Sequence, residues 1–150
     1  MTQTQPLDLA AMSGLDQLMA IRDGLLPPAP IAETLGMVDF DGEHGSMSVS
    51  LDPEHRHYNP LGTVHGGVIS TLLDTAAGCS VHSTLAPGEG YTSLDLSVKF
   101  LRPATVDSGR LTAVGKVLQR GRRTALAEAQ LVDARGKLVA HATSSCMIFA

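Results

Sequence analysis

The chain has 150 residues and a formal net charge of −4, with 43% hydrophobic and 17% charged side chains. That length predicts one domain able to bury roughly two-thirds of its unfolded surface. No Trp and an aromatic content of 3% argue against a nucleic-acid module built on base stacking, and the apolar runs fall far short of the ~20 residues of a membrane span.

The elements follow in chain order. Residues 1–12 read as loose, and Met1 to Ala11 lacks the basic start and apolar core of a secretion signal. Leu15, Leu18, Met19, Arg22, Leu25 and Leu26 have helical spacing, predicting a helix from Ser13 to Leu26 that stops at Pro27-Pro28. A second short helix is expected over Ile31 to Gly36. Met47, Val49 and Leu51 alternate as on a strand, and Asp41-Gly42-Glu43-His44-Gly45 before them reads as a hairpin turn.

One long helix is expected from about Gly66 to Leu85. Val68, Ile69, Leu72, Leu73, Ala76, Ala77 and Val81 make it apolar around most of its circumference, as in a buried helix. The exception is a line of small or polar residues: Gly67, Ser70, Thr71, Asp74, Gly78 and His82. Four period-two segments come next, over Thr92–Leu101, Leu111–Leu118, Arg123–Val132 and Lys137–Phe149, with a hairpin signal at Asp133-Ala134-Arg135-Gly136. A central helix followed by an antiparallel meander is an α+β pattern, with the sheet wrapped around the helix.

Charge is unevenly placed. Residues 1–95 carry two basic and twelve acidic side chains, whereas residues 96–150 carry nine basic and three acidic ones. An acidic chain with one basic half suits a small anionic ligand better than a long polyanion. The two cysteines, Cys79 and Cys146, lie in apolar surroundings without CxxC spacing and read as reduced core thiols of a cytoplasmic protein.

The chemistry concentrates in Asn59-Pro60-Leu61-Gly62-Thr63-Val64-His65-Gly66-Gly67 and the helix behind it. A glycine-opened helix start offers unpaired N–H groups that can polarise a carbonyl. Asp74 is the one carboxylate on the apolar helix; it is either a base or nucleophile for acyl transfer, or an exposed or locally bonded structural residue. His65 either orients a substrate carbonyl or bonds its own loop, Asn59 and Gly62 can equally form an Asx turn, and Gly66 and Gly67 can equally serve tight packing. Eight residues separate Gly66 from Asp74, about 12 Å along a helix, too far for both to reach one carbonyl. If both are catalytic, the site pairs the glycine end of one helix with the Asp of a second, antiparallel copy. Arg120, Arg122 and Arg123 at a strand hairpin are either a solvated turn or a grip for a phosphorylated handle. His55 and His57 share a face but lack a third ligand, so no metal site is expected.

Asn59-x-x-Gly62-x-x-His65-Gly66-Gly67, with Asp74 nine residues after the histidine, resembles the loop and helix of the hotdog-fold acyl-CoA thioesterases of the phenylacetate-pathway, PaaI-like type. The resemblance covers about residues 31–149 and includes Ser93-Leu94-Asp95 and Phe100-Leu101-Arg102-Pro103-Ala104. It leaves residues 1–30 as an N-terminal extension to a domain of residues 31–150. It implies a hotdog fold, homodimers or homotetramers with inter-subunit sites, and hydrolysis of an acyl-CoA. Gly66 N–H and Asn59 would polarise the thioester carbonyl, Asp74 of the partner would act as general base or nucleophile, Thr92 or Ser93 would orient the water or carboxylate, and His65 would support the loop. Gly67 and the arginines would bind substrate. No cofactor, nucleic acid or membrane partner is implied; coenzyme A arrives as part of the substrate. A non-catalytic acyl-CoA-binding protein and a structural oligomer are the alternative readings.

Overall fold

The computed structural model describes residues 6–150. The expected loose start falls partly on residues 1–5, outside the described residues; Leu9–Ala11 is not loose but forms a single 3-10 turn whose N–H at Ala10 is capped by Asp8. Helix α1 spans Gly14–Arg22 and starts where Ser13 Oγ accepts from Asp16 N–H. It ends four residues before the expected Leu26, because Gly24 takes φ +75° and the Leu25 N–H turns back onto the Ala20 carbonyl. Helix α2, Pro30–Leu35, stops the same way at Gly36, φ +77°.

Strands β1 (Met37–Glu43) and β2 (Ser46–Leu51) form the first hairpin. The turn is shorter than expected: Asp41, Gly42 and Glu43 pair with Ser48, Met47 and Ser46, leaving His44 and Gly45 to reverse the chain. Helix α3, Gly66–His82, follows the loop. The meander comes last, as β3 (Gly90–Ser93), β4 (Ser97–Phe100), β5 (Leu111–Arg120), β6 (Thr124–Val132) and β7 (Leu138–Phe149). The sheet runs β1-β2-β5-β6-β7-β3, every pair antiparallel, with β4 also on β7.

One expected strand, Thr92 to Leu101, is two. Asp95 divides it: its carboxylate accepts from Ser145 N–H at 2.8 Å and its carbonyl accepts from Ser144 Oγ at 2.9 Å. The break leaves Leu94 and Phe100 exposed rather than on one buried face.

The sheet curls around α3, and small residues decide how closely. Ala125, Ala127 and Ala129 of β6 point at the helix and are buried. On β5, a Cβ at Gly115 would run into the Ala76 carbonyl of α3, so the helix backbone lies almost on the strand. Ser80 fixes the register by donating to the Ala76 carbonyl and accepting from Met47 N–H of β2 at 2.9 Å.

The other side of α3 is not buried throughout, as its composition predicts. α1 covers only the C-terminal half, where Gly14 N–H bonds the Leu85 carbonyl and His82 Nε2 meets Gln17 Oε1 at 2.8 Å. Gly67 and Asp74 are exposed, and Ser70, Thr71 and Thr75 are partly so. The small-residue line is therefore open at its first two turns and closed at Gly78, which lies buried under the Tyr91 ring.

Candidate active site

Two positions on α3 are the candidates for chemistry. At its N-terminus His65 is the N-cap: its Nδ1 accepts from Gly67 N–H at 2.8 Å. That bond fixes the ring on the loop, and it needs Gly67, whose Cβ would sit 2.9 Å from Nδ1. The Gly66 N–H is left over. As the first residue of the helix it has no intrahelical acceptor, and none of the described residues supplies one. It opens into a cavity of about 320 Å³ whose walls include Asn59, Thr63, Phe100 and Arg102. The Phe100 ring lies over Gly66, with Cζ 3.1 Å from where a Cβ would be.

Asn59 serves the loop. Its Oδ1 accepts from Leu61 and Thr63 N–H at 2.9 and 3.2 Å, and its Nδ2 donates to Thr63 Oγ1 at 2.9 Å. This is the Asx turn, with one Nδ2 hydrogen left for anything else.

Asp74 lies two turns further on. It is accessible, yet the surrounding protein desolvates its carboxylate enough to raise its pKa above the ordinary Asp value. The Ser93 hydroxyl acts the other way, favouring the charged form. No cation among the described residues pairs with it. Ser93 reaches it because of its register: it pairs with Cys146, whose side chain is buried against the helix. Thr92 pairs with Met147, which is exposed on the outer face, so Thr92 points away from Asp74. Of the two candidates, only Ser93 is at the site.

The arginines separate as well. Arg120 is committed to structure: Nε donates to Thr84 Oγ1 at 3.0 Å, Nη2 pairs with Glu89 at 2.7 Å, and Nη1 donates to the Gly121 carbonyl. Arg122 and Arg123 stay exposed on the hairpin. His57 is closed to a metal, since Nδ1 accepts from Glu54 N–H and Nε2 meets the Leu35 carbonyl at 2.8 Å. Sequence reasoning missed Phe100 as the cover of Gly66 and Tyr91 as the cover of Gly78. Both are aromatic residues on strands facing glycines of the helix, a complementarity that only pairing reveals.

A family model described as the thioesterase superfamily matches residues 61–140, which include the loop from Leu61 onward, all of α3 and Asp74. The chain belongs to that superfamily. Among the relatives of this thioesterase, the 1,4-dihydroxy-2-naphthoyl-CoA hydrolase of Listeria monocytogenes is 28% identical over 109 residues, 73% of this chain and 87% of that one. The medium/long-chain acyl-CoA thioesterase YigI of Escherichia coli K12 is 34% identical over 98 residues, 57% of this chain and 62% of that one. The chain thus spans less than two-thirds of the second of these relatives. A phenylacetic acid degradation-related protein of Ralstonia eutropha JMP134 has the same structure at TM-score 0.78 and 32% identity, covering 87% of this chain and 98% of that one. The E. coli PaaI protein of the phenylacetic acid degradation operon matches at TM-score 0.79 over 92% and 97% of the two chains; at 23% identity it shows the shared fold. The hotdog architecture and the PaaI-like resemblance are both borne out, and the thioesterase is a hydrolase by family. None of its described helices is long and apolar enough to cross a membrane.

Proposed function

We propose that this thioesterase hydrolyses acyl-CoA at a site completed by two subunits, with the Gly66 N–H of one and Asp74 of the other acting on one thioester. The observation that carries the reading is the open stripe of α3. It presents an unpaired donor at Gly66 and a desolvated carboxylate at Asp74, eight residues apart on one rigid helix. About 12 Å of helix separates them, so a single copy cannot bring both to one carbonyl. Two antiparallel copies do so twice, and they cover the exposed stripe as they meet.

In this scheme the Gly66 N–H, helped by the helix dipole, donates to the thioester carbonyl oxygen and stabilises the oxyanion as it forms. Asp74 takes a proton from water as the water oxygen bonds to the carbonyl carbon. Collapse of the tetrahedral intermediate breaks the C–S bond, and the departing CoA thiolate recovers the proton from Asp74. In the alternative course the Asp74 carboxylate attacks the carbonyl carbon itself, the C–S bond breaks to release the CoA thiolate, and water opens the resulting mixed anhydride to the free acid and the Asp74 carboxylate, its proton passing to the thiolate. A raised pKa suits the base role, because proton transfer is most efficient when the base is poised near the working pH. Ser93 holds the carboxylate or the water. The exposed Arg122 and Arg123 lie on the hairpin that Arg120 ties to Thr84, beyond the C-terminus of α3. With Gly66 of one helix beside Asp74 of its antiparallel partner, that end of the partner's helix extends about 12 Å past Gly66, where the phosphorylated end of a long CoA handle would find two cations. The unpaired thiols Cys79 and Cys146 suit a reducing, cytoplasmic setting.

The test is hydrolysis of an acyl-CoA panel followed with a thiol reagent, together with light scattering at low micromolar concentration. Turnover and a mass of two or four times 15.7 kDa are expected. Mixing Asp74→Ala with Gly66→Val protein should then regenerate about one intact site per heterodimer. Mixed dimers as inactive as both parents would place the two groups in one subunit's site and overturn the scheme.

A further inference from the structure

A cavity of about 630 Å³ lies outside the site just described, between α1, α2, β1 and the flank of α3. Its walls are apolar where they are deep: Leu18 and Ile21 from α1, Met37 and Phe40 from β1, and Val49 from β2. Arg22 and Asp41, paired at 2.9 Å and exposed, stand at the rim with Asp39. α3 contributes Thr75, the residue after Asp74, and Cys79, about one turn beyond it. The cavity therefore meets α3 at the turn that follows Asp74, which is not itself part of the wall, and is bounded on its other sides by the N-terminal helices and β1.

We infer that this cavity is the acyl subsite of the thioesterase and that its ligand is a long apolar acyl chain, held under the N-terminal segment α1–α2. The inference rests on the proposed hydrolysis at Asp74, because it is the reacting carbonyl that puts the acyl group next to Thr75. Three further observations support it. The volume falls in the range of roughly 300–1,000 Å³ that takes a medium-sized organic ligand, and an acetyl group would leave nearly all of it empty. The Cys79 thiol in its wall is pushed up to about 12, chiefly by burial and then by the charge of Asp74, so wall and carboxylate share one desolvated neighbourhood. The strand that forms its outer wall is bent on purpose. The β1–β2 register slips between Val38 and Asp41, and Asp39 there adopts φ +52°, rare for a residue with a side chain. Arg110 holds that conformation by bonding Asp39 while also gripping Asp52 with two bonds of 2.8 Å. The bulge turns Phe40 inward, where it packs against the core.

Every element of this wall except α3 precedes residue 61, where the match to the superfamily begins. Chain-length preference is thus written mainly in this chain's own N-terminal third.

The experiment compares binding of two unreactive thioethers, S-dodecyl-CoA and S-ethyl-CoA, by calorimetry on the full chain. Each methylene taken from water contributes roughly fourfold in affinity, so the dodecyl compound should bind at least ~100-fold tighter even if only part of the chain is covered. Ala32→Trp, from α2 into the cavity, and Ala29→Trp, at its mouth, should each cut that ratio by tenfold or more. Thermal melts establish that both variants fold, and Ala29→Trp keeps the test decisive if Ala32→Trp does not. A ratio near one in the wild type, or an unchanged ratio in a folded variant, overturns the inference. If dodecanoyl-CoA is bound with the expected ratio but not hydrolysed, the subsite stands and the hydrolytic reading of Asp74 fails instead.

Discussion

The two sides of α3 are built to opposite rules. Toward the sheet, Leu72, Leu73, Ala76, Ala77 and Val81 are fully buried, and the strands opposite them shrink to Ala and Gly so that backbone meets backbone. On the other side, over the first two turns, Gly67, Ser70, Thr71 and Asp74 leave the helix accessible although it is otherwise apolar. The closed side can be explained by packing alone. The open side cannot, since apolar residues there would favour folding more than an unpaired carboxylate does. What packing does not demand is where function is to be sought.

That contrast can be broken most severely from the closed side. Gly115→Val drives a branched side chain into the Ala76 carbonyl and the Ser80 hydroxyl of α3. Neither neighbour is a flexible side-chain end, and Ser80 also bonds the Ala76 carbonyl and Met47 N–H. Overpacking a tight core costs typically 1–3 kcal/mol, and more where the backbone must move. We expect Gly115→Val protein to be largely insoluble or to melt far below the wild type by circular dichroism. A soluble protein with wild-type melting would mean that the helix does not lie this close to β5.

The open side should answer in the reverse way. Asp74→Asn keeps the shape and removes the charge and the basic oxygen. Acyl-CoA turnover should fall by roughly 10²-fold or more, the usual contribution of a general base, with little change in substrate binding. Stability should hold or rise. The sign follows from the raised pKa: the unfolded chain releases the Asp74 proton more readily, so folding is penalised as pH climbs above the ordinary Asp value and unpenalised below it. The melting temperatures of Asp74→Asn and wild type should therefore converge below about pH 4 and separate in the variant's favour toward neutrality. A variant that unfolds while its folded fraction keeps wild-type turnover would make Asp74 structural.

The same contrast explains what was legible in the sequence. The buried helix and the period-two segments of the meander follow from periodicity, because packing against a core imprints a period on the chain, and the hairpin at Asp133–Gly136 follows from its turn residues. The motif from Asn59 to Asp74 was legible as chemistry because a glycine pair and a carboxylate are unusual on an apolar helix. Features set by partners far along the chain were not. The division of β3 from β4 depends on Asp95 bonding Ser144 and Ser145, some fifty positions away, while the alternation of Leu94, Leu96, Val98 and Phe100 argued for one strand. Arg120 looked like its neighbours Arg122 and Arg123 until Glu89 and Thr84 were found beside it. The end of α1 was legible and misread: Gly24 is the stop, three residues before the prolines.

The smallest effect separates two adjacent residues that the sequence could not rank. Strand pairing puts Ser93 with the helix-facing Cys146 and Thr92 with the exposed Met147, so only Ser93 faces Asp74. Ser93→Ala should lower kcat/KM by several-fold rather than by the ~10² or more of the base itself. It should also move the pH profile in a definite direction. The Ser93 hydroxyl favours charged Asp74 and burial opposes it; without the hydroxyl, burial acts alone and the carboxylate pKa rises further. Activity requires the ionised base, so the acidic limb of kcat/KM should shift to higher pH in Ser93→Ala and stay in place in Thr92→Ala. Ser93→Thr, which restores a hydroxyl, should bring the limb back toward the wild-type position. A shift of equal size in Thr92→Ala would mean that the edge strand pairs one residue out of register, and the assignment of faces around Asp74 would have to be reversed.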